Sequence, residues 1–416
     1  MRNLILLTLF LLHISNIQAQ TENEIAPPFN IKTASFVYNN ENVIPFFALG
    51  ESFTFKFDDL YTSEQDYFYT ITHCDYDWKP SNLTKSEYLL GFDNVRIQEY
   101  ANSQNTLQSY SHYTLNIPNF QTKQIKLSGN YILKIFDSQG QLMLSRRFVM
   151  YENTVGVGVQ VKRSRNISEV AHKHNLDFSI KPGNLLLQNP FENVKVVLLQ
   201  NGIWHSAIKN IRPQYNIGTE LIYKYDHETS FDASNEYLWF DTKDVRAANN
   251  SIYKITSGEI YMTHLYTNTP RANQIYTYFP DVNGNFVVSN VIRQNANLEA
   301  DYTWVFFNLK VDKNTHKEDI YIGGMFNNYA LTDEYKLDYS SKEGVYTKAV
   351  MVKQGFTNFQ YFLVDKKGQL NTQEAIDGNF YQTENDYTVL VYYRGTTDLY
   401  DRVIGIGRAN SENIVN

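Results

Sequence analysis

The strongest constraint in this chain is a two-residue rhythm. In "SFTFKFDDL", residues 52–60, Phe53, Phe55 and Phe57 alternate with polar neighbours. Side chains at every second position share one face of an extended strand and no single face of a helix. "YFYTITHCDYDW" keeps the beat over residues 67–78. It sets Phe68, Thr70, Thr72, Cys74, Tyr76 and Trp78 on one face, and Tyr67, Tyr69, Ile71, His73, Asp75 and Asp77 on the other. Val155, Val157, Val159 and Val161 repeat the pattern. With 32 Tyr and 26 Phe available to fill such positions, the composition favours strands.

Turn signals divide the strands. Residues 130–152 read as a hairpin around Asp137-Ser138-Gln139-Gly140. Further hairpins are expected at Gln200-Asn201-Gly202 and at Asn283-Gly284. From residue 298 onward, strands recur at intervals of about a dozen residues or more, the spacing of a sandwich. One stretch breaks the rhythm. Thr84-x-x-Glu87 is a capping-box pattern, followed by Leu89, Leu90 and a Gly91 placed to end a short helix. The fold class expected is all-β: tandem β-sandwich domains, Ig-like or early-set-like, with one short helical insertion in the first. The boundaries expected are a leader over 20–30 with a Pro-Pro pair, a first sandwich over 20–152 with its insertion near 82–107, a second β-rich domain over 153–297, a C-terminal sandwich over 298–400 and a tail over 401–416.

The 416 residues are enough to bury a core without staples. A net charge of −7 gives no global pull on nucleic acid or anionic lipid. Residues 1–19 have Arg2, an apolar run over 4–12 and a small residue at Ala19, which reads as a cleavable signal peptide. That run is too short for an anchor, and no later run approaches 18 apolar residues, so no membrane span is expected. With one cysteine, Cys74, no internal disulfide forms. An exported chain without one fits a bacterial envelope compartment.

Signatures of chemistry are missing. No two glycines lie four or five apart, which removes the nucleophile elbow and the P-loop. Gly156/Gly158 and Gly405/Gly407 are G-x-G pairs, but Val161 and Asn410 stand where the third glycine of a dinucleotide fingerprint belongs. His172 and His174 share a strand face and read as a surface pair, one ligand short of a zinc site. The DVNGN run at 281–285 has Asn290 where a calcium loop needs Glu, and reads as a turn. His73 and Cys74 point to opposite faces, so they make no thiolate pair. No catalytic residue, metal ligand or cofactor site is assigned.

The run that opens "HCDYDWKPSNLTKSEYLLGFDNVRI" resembles the signature region of the plug protein of the type IX secretion system of Bacteroidetes. "SGNYILKIFDSQGQLMLSRRFVMYE", "RPQYNIGTELIYKYD" and "GNFYQTENDYTVLVYYRGTTDLYDRVIGIG" are similar to that family too. The resemblance implies a periplasmic, non-enzymatic β-sandwich protein. Its partner would be a giant outer-membrane β-barrel translocon, whose periplasmic mouth it binds and whose pore it seals at rest. Within the insertion, Trp78, Tyr88, Phe92 and Arg96 are of the kinds enriched at interface hot spots and are the candidate partner contacts. The competing expectation is that they pack the insertion onto its own sandwich.

Two rival readings stand beside it. The C-terminal block is similar to the early-set sandwiches that bind glycogen or starch, which makes a carbohydrate-binding envelope protein the alternative. Residues 305–416 contain no Trp, however, and Tyr329 occupies the turn where a stacking Trp is expected. An enzyme of unknown type is the weakest reading, because it would need a deep pocket with clustered titratable groups.

Overall fold

The computed structural model describes residues 21–61, 64–291, 295–412 and 414, so the expected signal peptide lies outside the described residues. The regular structure is nearly all strand, as the alternation requires, with only a few helices of one turn. The strands form three double-sheet bodies, each with its own apolar core.

The first sandwich pairs one sheet, in the order Glu41–Asn42, Ile31–Tyr38, Phe53–Asp59, Ser111–Ile117, Glu99–Asn102, with a second, in the order Phe46–Ala48, Leu142–Tyr151, Gly129–Phe136, Phe68–Cys74, Val95–Arg96. Phe53, Phe55 and Phe57 all point into its core. Phe47 stacks on Phe53 at 4.4 Å, and Phe57 on Tyr113 at 5.0 Å. The hairpin at Gly140 forms as expected, with that glycine at φ +79°. The leader is extended and held along the strand Leu142–Tyr151: Ile25 N–H donates to Ser145 Oγ at 2.8 Å, and Arg147 N–H to Glu24 Oε1 at 2.8 Å.

The helical insertion is smaller than expected. Thr84 and Glu87 do form the capping box, with Thr84 N–H and Oγ1–H donating to Oε2 of Glu87 at 2.6 and 2.8 Å. The helix is one turn, Lys85–Tyr88. The chain then becomes extended again as Leu89–Gly91, paired with Thr122–Ile125. Gly91 does not stop a helix. It has φ +103° within that strand, and a Cβ there would lie 2.0 Å from Gln121 O. The glycine serves close strand approach.

The second and third bodies depart from the expected order. The second sandwich stacks a sheet of Gly156–Arg163, Lys173–Lys181, Glu220–Tyr223 and Tyr215–Ile217 on a sheet of Ile208–Lys209, Val194–Gln200, Asp386–Tyr393 and Arg402–Asn410. The third sandwich, with core residues from Phe240 to Ile376, is inserted between these two parts of the second. The expected boundary near residue 297 therefore falls inside the third sandwich, where Tyr261–Leu265 pairs in parallel with Tyr302–Leu309. The expected tail is the edge strand Arg402–Asn410. Asp386–Tyr393, read as the last strand of the C-terminal block, pairs instead with Val194–Gln200, about 190 residues earlier in the chain. The turn at Asn201-Gly202 returns as a hairpin onto Ile208–Lys209. The turn at Asn283-Gly284 forms, but only its downstream arm is a strand, and that arm, Phe286–Val288, pairs with Gly355–Val364.

The G-x-G pair at Gly405 and Gly407 has a packing reason. A Cβ on Gly407 would meet Cγ atoms of Val157 and Val159 at 2.6 Å. Absent side chains let the two sheets of the second sandwich close at their shared edge.

Candidate functional site

The conspicuous run from His73 begins on the strand Phe68–Cys74 and leaves it in a tight turn. Tyr67, Tyr69 and Ile71 fill the first core, while Cys74, Tyr76 and Trp78 fall into a different cluster together with Val197, Leu199, Leu390, Tyr392 and Val403. The face division read from the alternation is the one observed as far as Cys74, where the strand ends. The outer face is half-buried at Phe68, Thr70 and Thr72 and buried at Cys74. Beyond it the expected alternation fails, because residues 75–78 turn, with Trp78 at φ +64°. Cys74, Tyr76 and Trp78 are pressed against the second sandwich.

Chemistry is suppressed in this run. His73 Nδ1 lies 2.8 Å from Ser81 Oγ and Nε2 lies 3.2 Å from Ser128 O, and burial lowers its pKa to about 4. Burial pushes the Cys74 thiol up to about 12, so neither a cation nor a thiolate is available near neutral pH. The polar atoms instead join two sandwiches. Tyr392 O–H donates to Asn130 Oδ1 at 2.7 Å, and Asn130 Nδ2 donates to Asp75 O at 3.0 Å. Tyr76 N–H donates to Asp401 Oδ2 at 3.0 Å, and Asp401 N–H to Asp75 Oδ1 at 3.2 Å. The run is a joint.

This placement decides between the two expectations for Trp78 and Tyr88. Trp78, 1% exposed, packs edge-on against Trp204 at 5.0 Å and lies under the Arg147 guanidinium at 4.4 Å. Tyr88 is buried in the first core, with its O–H donating to Ile71 O at 3.2 Å. Neither is available to a partner, so the contact role expected for them is corrected to internal packing. Strand alternation does not place Trp78: the strand ends at Cys74, and the following turn, with Trp78 at φ +64°, folds its ring into the same cluster as Cys74 and Tyr76.

Phe92 and Arg96 stay at the surface. Arg96 Nε lies 2.8 Å from Asp66 Oδ1, off-axis for a hydrogen bond, so the contact is an ion pair. Phe92 is 71% exposed, and Phe120 beside it is 87% exposed. Their backbone is fixed: Phe92 N–H donates to Gln121 O at 2.9 Å, and Thr122 Oγ1–H donates to Phe92 O at 2.7 Å. Asn119 closes the turn by accepting the N–H groups of Gln121 and Thr122. Two bare rings and the half-exposed Leu90 thus sit at the end of a two-stranded finger. Exposed rings on a hydrogen-bonded backbone are of the kind that anchor interfaces. Phe120 lies outside the expected insertion. A lone apolar residue in "IPNFQTK" gives no signal until strand pairing brings it beside Phe92.

The other candidates resolve individually. His174 is buried, not a surface residue, with Nδ1 2.7 Å from Tyr387 Oη and Nε2 2.7 Å from Tyr381 O. Both ring nitrogens are taken. Asp281 of the DVNGN turn accepts the N–H groups of Tyr237 and Asn283, each at 2.6 Å. Tyr329 Oη lies 3.1 Å from Tyr237 Oη and its ring packs edge-on against Phe362, which gives no open stacking platform. Among the described residues, His316, Glu318 and Glu374 bring possible metal-ligand atoms within 4.8 Å of one another, with Asn371 Nδ2 donating to Glu318 at 3.0 Å. No helix among the described residues is long and apolar enough to cross a membrane.

A second joint lies between the first and third sandwiches. Asp58 is fully buried. It receives Lys353 Nζ and Tyr302 O–H at Oδ2, both at 2.6 Å, and has His112 Nδ1 at 2.6 Å from Oδ1. Burial raises the Asp58 carboxyl, but the Lys353 charge and the His112 contact outweigh it and leave the pKa below the usual range.

Residues 31–152 match the family model for the type 9 secretion system plug protein first domain. A crystal structure of a hypothetical protein from Parabacteroides merdae ATCC 43184 aligns with 28% identity and a TM-score of 0.89, covering 94% of this chain and 100% of that one. A structure of three N-terminal domains of the bacteriophage RB49 outer capsid protein Hoc aligns at 11% identity with a TM-score of only 0.15. No curated protein matches. Over residues 31–152 the first sandwich is similar to the first domain of the type 9 secretion system plug protein.

Proposed function

We propose that this chain is a periplasmic plug: it docks on the periplasmic mouth of the outer-membrane β-barrel translocon of the type IX secretion system and seals the pore at rest. The observation that carries the reading is the family match over the first domain, in a chain whose three sandwiches are joined through buried seams. A plug must resist deformation across its width. Here the joints are made of buried rings and charged hydrogen bonds, and such seams do not slide freely. The family is a secretion-system plug family, not an enzyme family, and the proposed role is non-enzymatic.

The finger of Leu90, Phe92 and Phe120 is the proposed anchor. Burying one Phe side chain contributes about 1.5–3 kcal/mol. The test is co-purification of the tagged full chain with an outer-membrane barrel from its native host. Phe92→Asp with Phe120→Asp keeps the fold within about 0.5 kcal/mol, since both rings are exposed, and lowers barrel recovery at least tenfold. Absence of any barrel in the wild-type pull-down refutes the plug reading. Undiminished recovery with the double variant moves the anchor elsewhere.

A further inference from the structure

Three metal-ligating side chains meet at one end of the third sandwich. His316 and Glu318 lie in the bend that enters the strand Asp319–Gly323. Glu374 lies in the loop that follows the strand Gly355–Val364. Asp319 pairs with Val364, and that register sets the bend beside the loop. The possible ligand atoms of the three side chains lie within 4.8 Å of one another. His316 and Glu318 are half-buried and Glu374 is exposed, so an ion in solvent can reach the cluster.

One amide organises both carboxylates. Asn371 Nδ2 donates to Glu318 Oε1 at 3.0 Å, and Asn371 Oδ1 accepts the N–H of Glu374 at 3.2 Å. The other oxygen of Glu318 accepts the N–H of Lys317 at 3.0 Å. Asn371 is itself fixed, its N–H donating to Leu363 O at 2.9 Å. The cluster lacks a counter-charge. Among the described residues neither Glu318 nor Glu374 has a Lys or Arg partner, and the His316 ring makes no hydrogen bond. Two carboxylates held close without a cation repel each other.

The donor set selects the ion. Calcium takes six to eight oxygens and magnesium an octahedral, water-rich shell, and an imidazole suits neither. One imidazole with two carboxylates suits zinc, with water in the fourth position. Ligands around a tetrahedral zinc stand about 3.4 Å apart at bond lengths of about 2.1 Å. Closing the observed set to that spacing takes side-chain shifts of about 1 Å, within the reach of rotation about χ angles.

We propose that His316, Glu318 and Glu374 form a binding site for one divalent transition-metal ion of the zinc class, which pins the bend before Asp319–Gly323 to the loop at Asn371. The same loop reaches the second sandwich: Thr372 O–H donates to Asp232, which pairs with Lys173 at the edge of the strand Lys173–Lys181. The ion therefore braces the joint between the third and second sandwiches. Binding to the folded state alone stabilises the chain by mass action.

The test is zinc titration of the EDTA-washed full chain by calorimetry, with thermal unfolding in parallel. Wild type takes up zinc at this site and shows a saturable rise in Tm, which magnesium and calcium at the same concentration do not produce. His316→Ala and Glu374→Gln change solvent-reachable side chains, leave the metal-free Tm in place and weaken this zinc binding at least tenfold. His227→Ala, at an exposed histidine beside Glu169, leaves it unchanged and separates the site from surface zinc elsewhere. Crystals soaked in zinc show an anomalous peak in bonding contact with a His316 ring nitrogen and Glu374. Absence of zinc binding, an equal response to magnesium or calcium, a rise that survives His316→Ala, or a peak only elsewhere overturns the proposal.

Discussion

Replacing Trp78 by alanine tests whether the His73 run is a joint or a contact surface. Trp78 is 1% exposed. A tryptophan buries about 150–250 Å², so its transfer term is about 4–6 kcal/mol at 25 cal/mol per Å². Its edge contact with Trp204 and its place under Arg147 each add about 1 kcal/mol. Its indole N–H has no acceptor, and deleting that orphan donor returns about 1–2 kcal/mol. Partial collapse of the cavity returns more. The net expected loss is about 4 kcal/mol, within the range for Trp→Ala in cores. The assay is urea unfolding followed by circular dichroism, because removing one of four tryptophans confounds fluorescence. Since Trp78 belongs to the seam cluster and to neither sandwich core, the single transition also splits as the first and second bodies uncouple. Trp78→Phe, which keeps a ring and removes the orphan N–H, loses about half as much. A cost below about 1 kcal/mol with partner binding lost would show that Trp78 faces a partner and refute the joint.

Three further outcomes are expected. Gly407→Val, whose new Cβ meets Val157 and Val159 at 2.6 Å, costs at least about 1–3 kcal/mol by overpacking, read as a drop in Tm. Asp58→Asn strands the Lys353 charge and costs about 3–5 kcal/mol in urea unfolding. Because the folded pKa of Asp58 is depressed, its contribution is present above the unfolded value of about 3.9 and fades as pH falls through the folded one; the variant loses that acid dependence. Glu236 goes the opposite way. Burial raises its pKa to about 7, against the Tyr276 hydroxyl and Glu384 N–H that favour its charged form. The folded state then binds the extra proton, so stability falls as pH rises from about 4.5 and levels off above 7. Residues 275–282 should gain protease sensitivity between pH 6 and pH 8, and Glu236→Gln should flatten that change.

The sequence carried strand identity and facing well, because period-2 alternation is a local property. Phe53, Phe55 and Phe57 were legible as one buried face, and the Tyr67 to Cys74 stretch was divided correctly, whereas residues 75–78, expected to alternate, form a turn. What could not be read was which surface each face meets. Cys74, Tyr76 and Trp78 look like the mouth of an insertion until Leu390 and Tyr392 arrive from the far end of the chain. Asp386–Tyr393 carried an unused clue. Seven of its eight residues are buried, and a near-continuous apolar run marks a strand covered on both faces, which a terminal strand of an isolated sandwich is not. The candidate contacts divided on the same ground. Residue type selected Trp78 and Tyr88, yet large aromatics fill cores as readily as interfaces, and only burial separates them from Phe92.

The insertion of the third body into the second has a consequence for biogenesis. Val194–Gln200 presents Val196 and Leu198 on one face and Val197 and Leu199 on the other, and its partner strand begins at Asp386. A chain emerging N-terminus first can form the short hairpin with Ile208–Lys209 but must leave the other edge of this two-sided greasy ribbon open while nearly two hundred residues follow. That interval is when aggregation competes with folding, and it is where a holdase would find its grip.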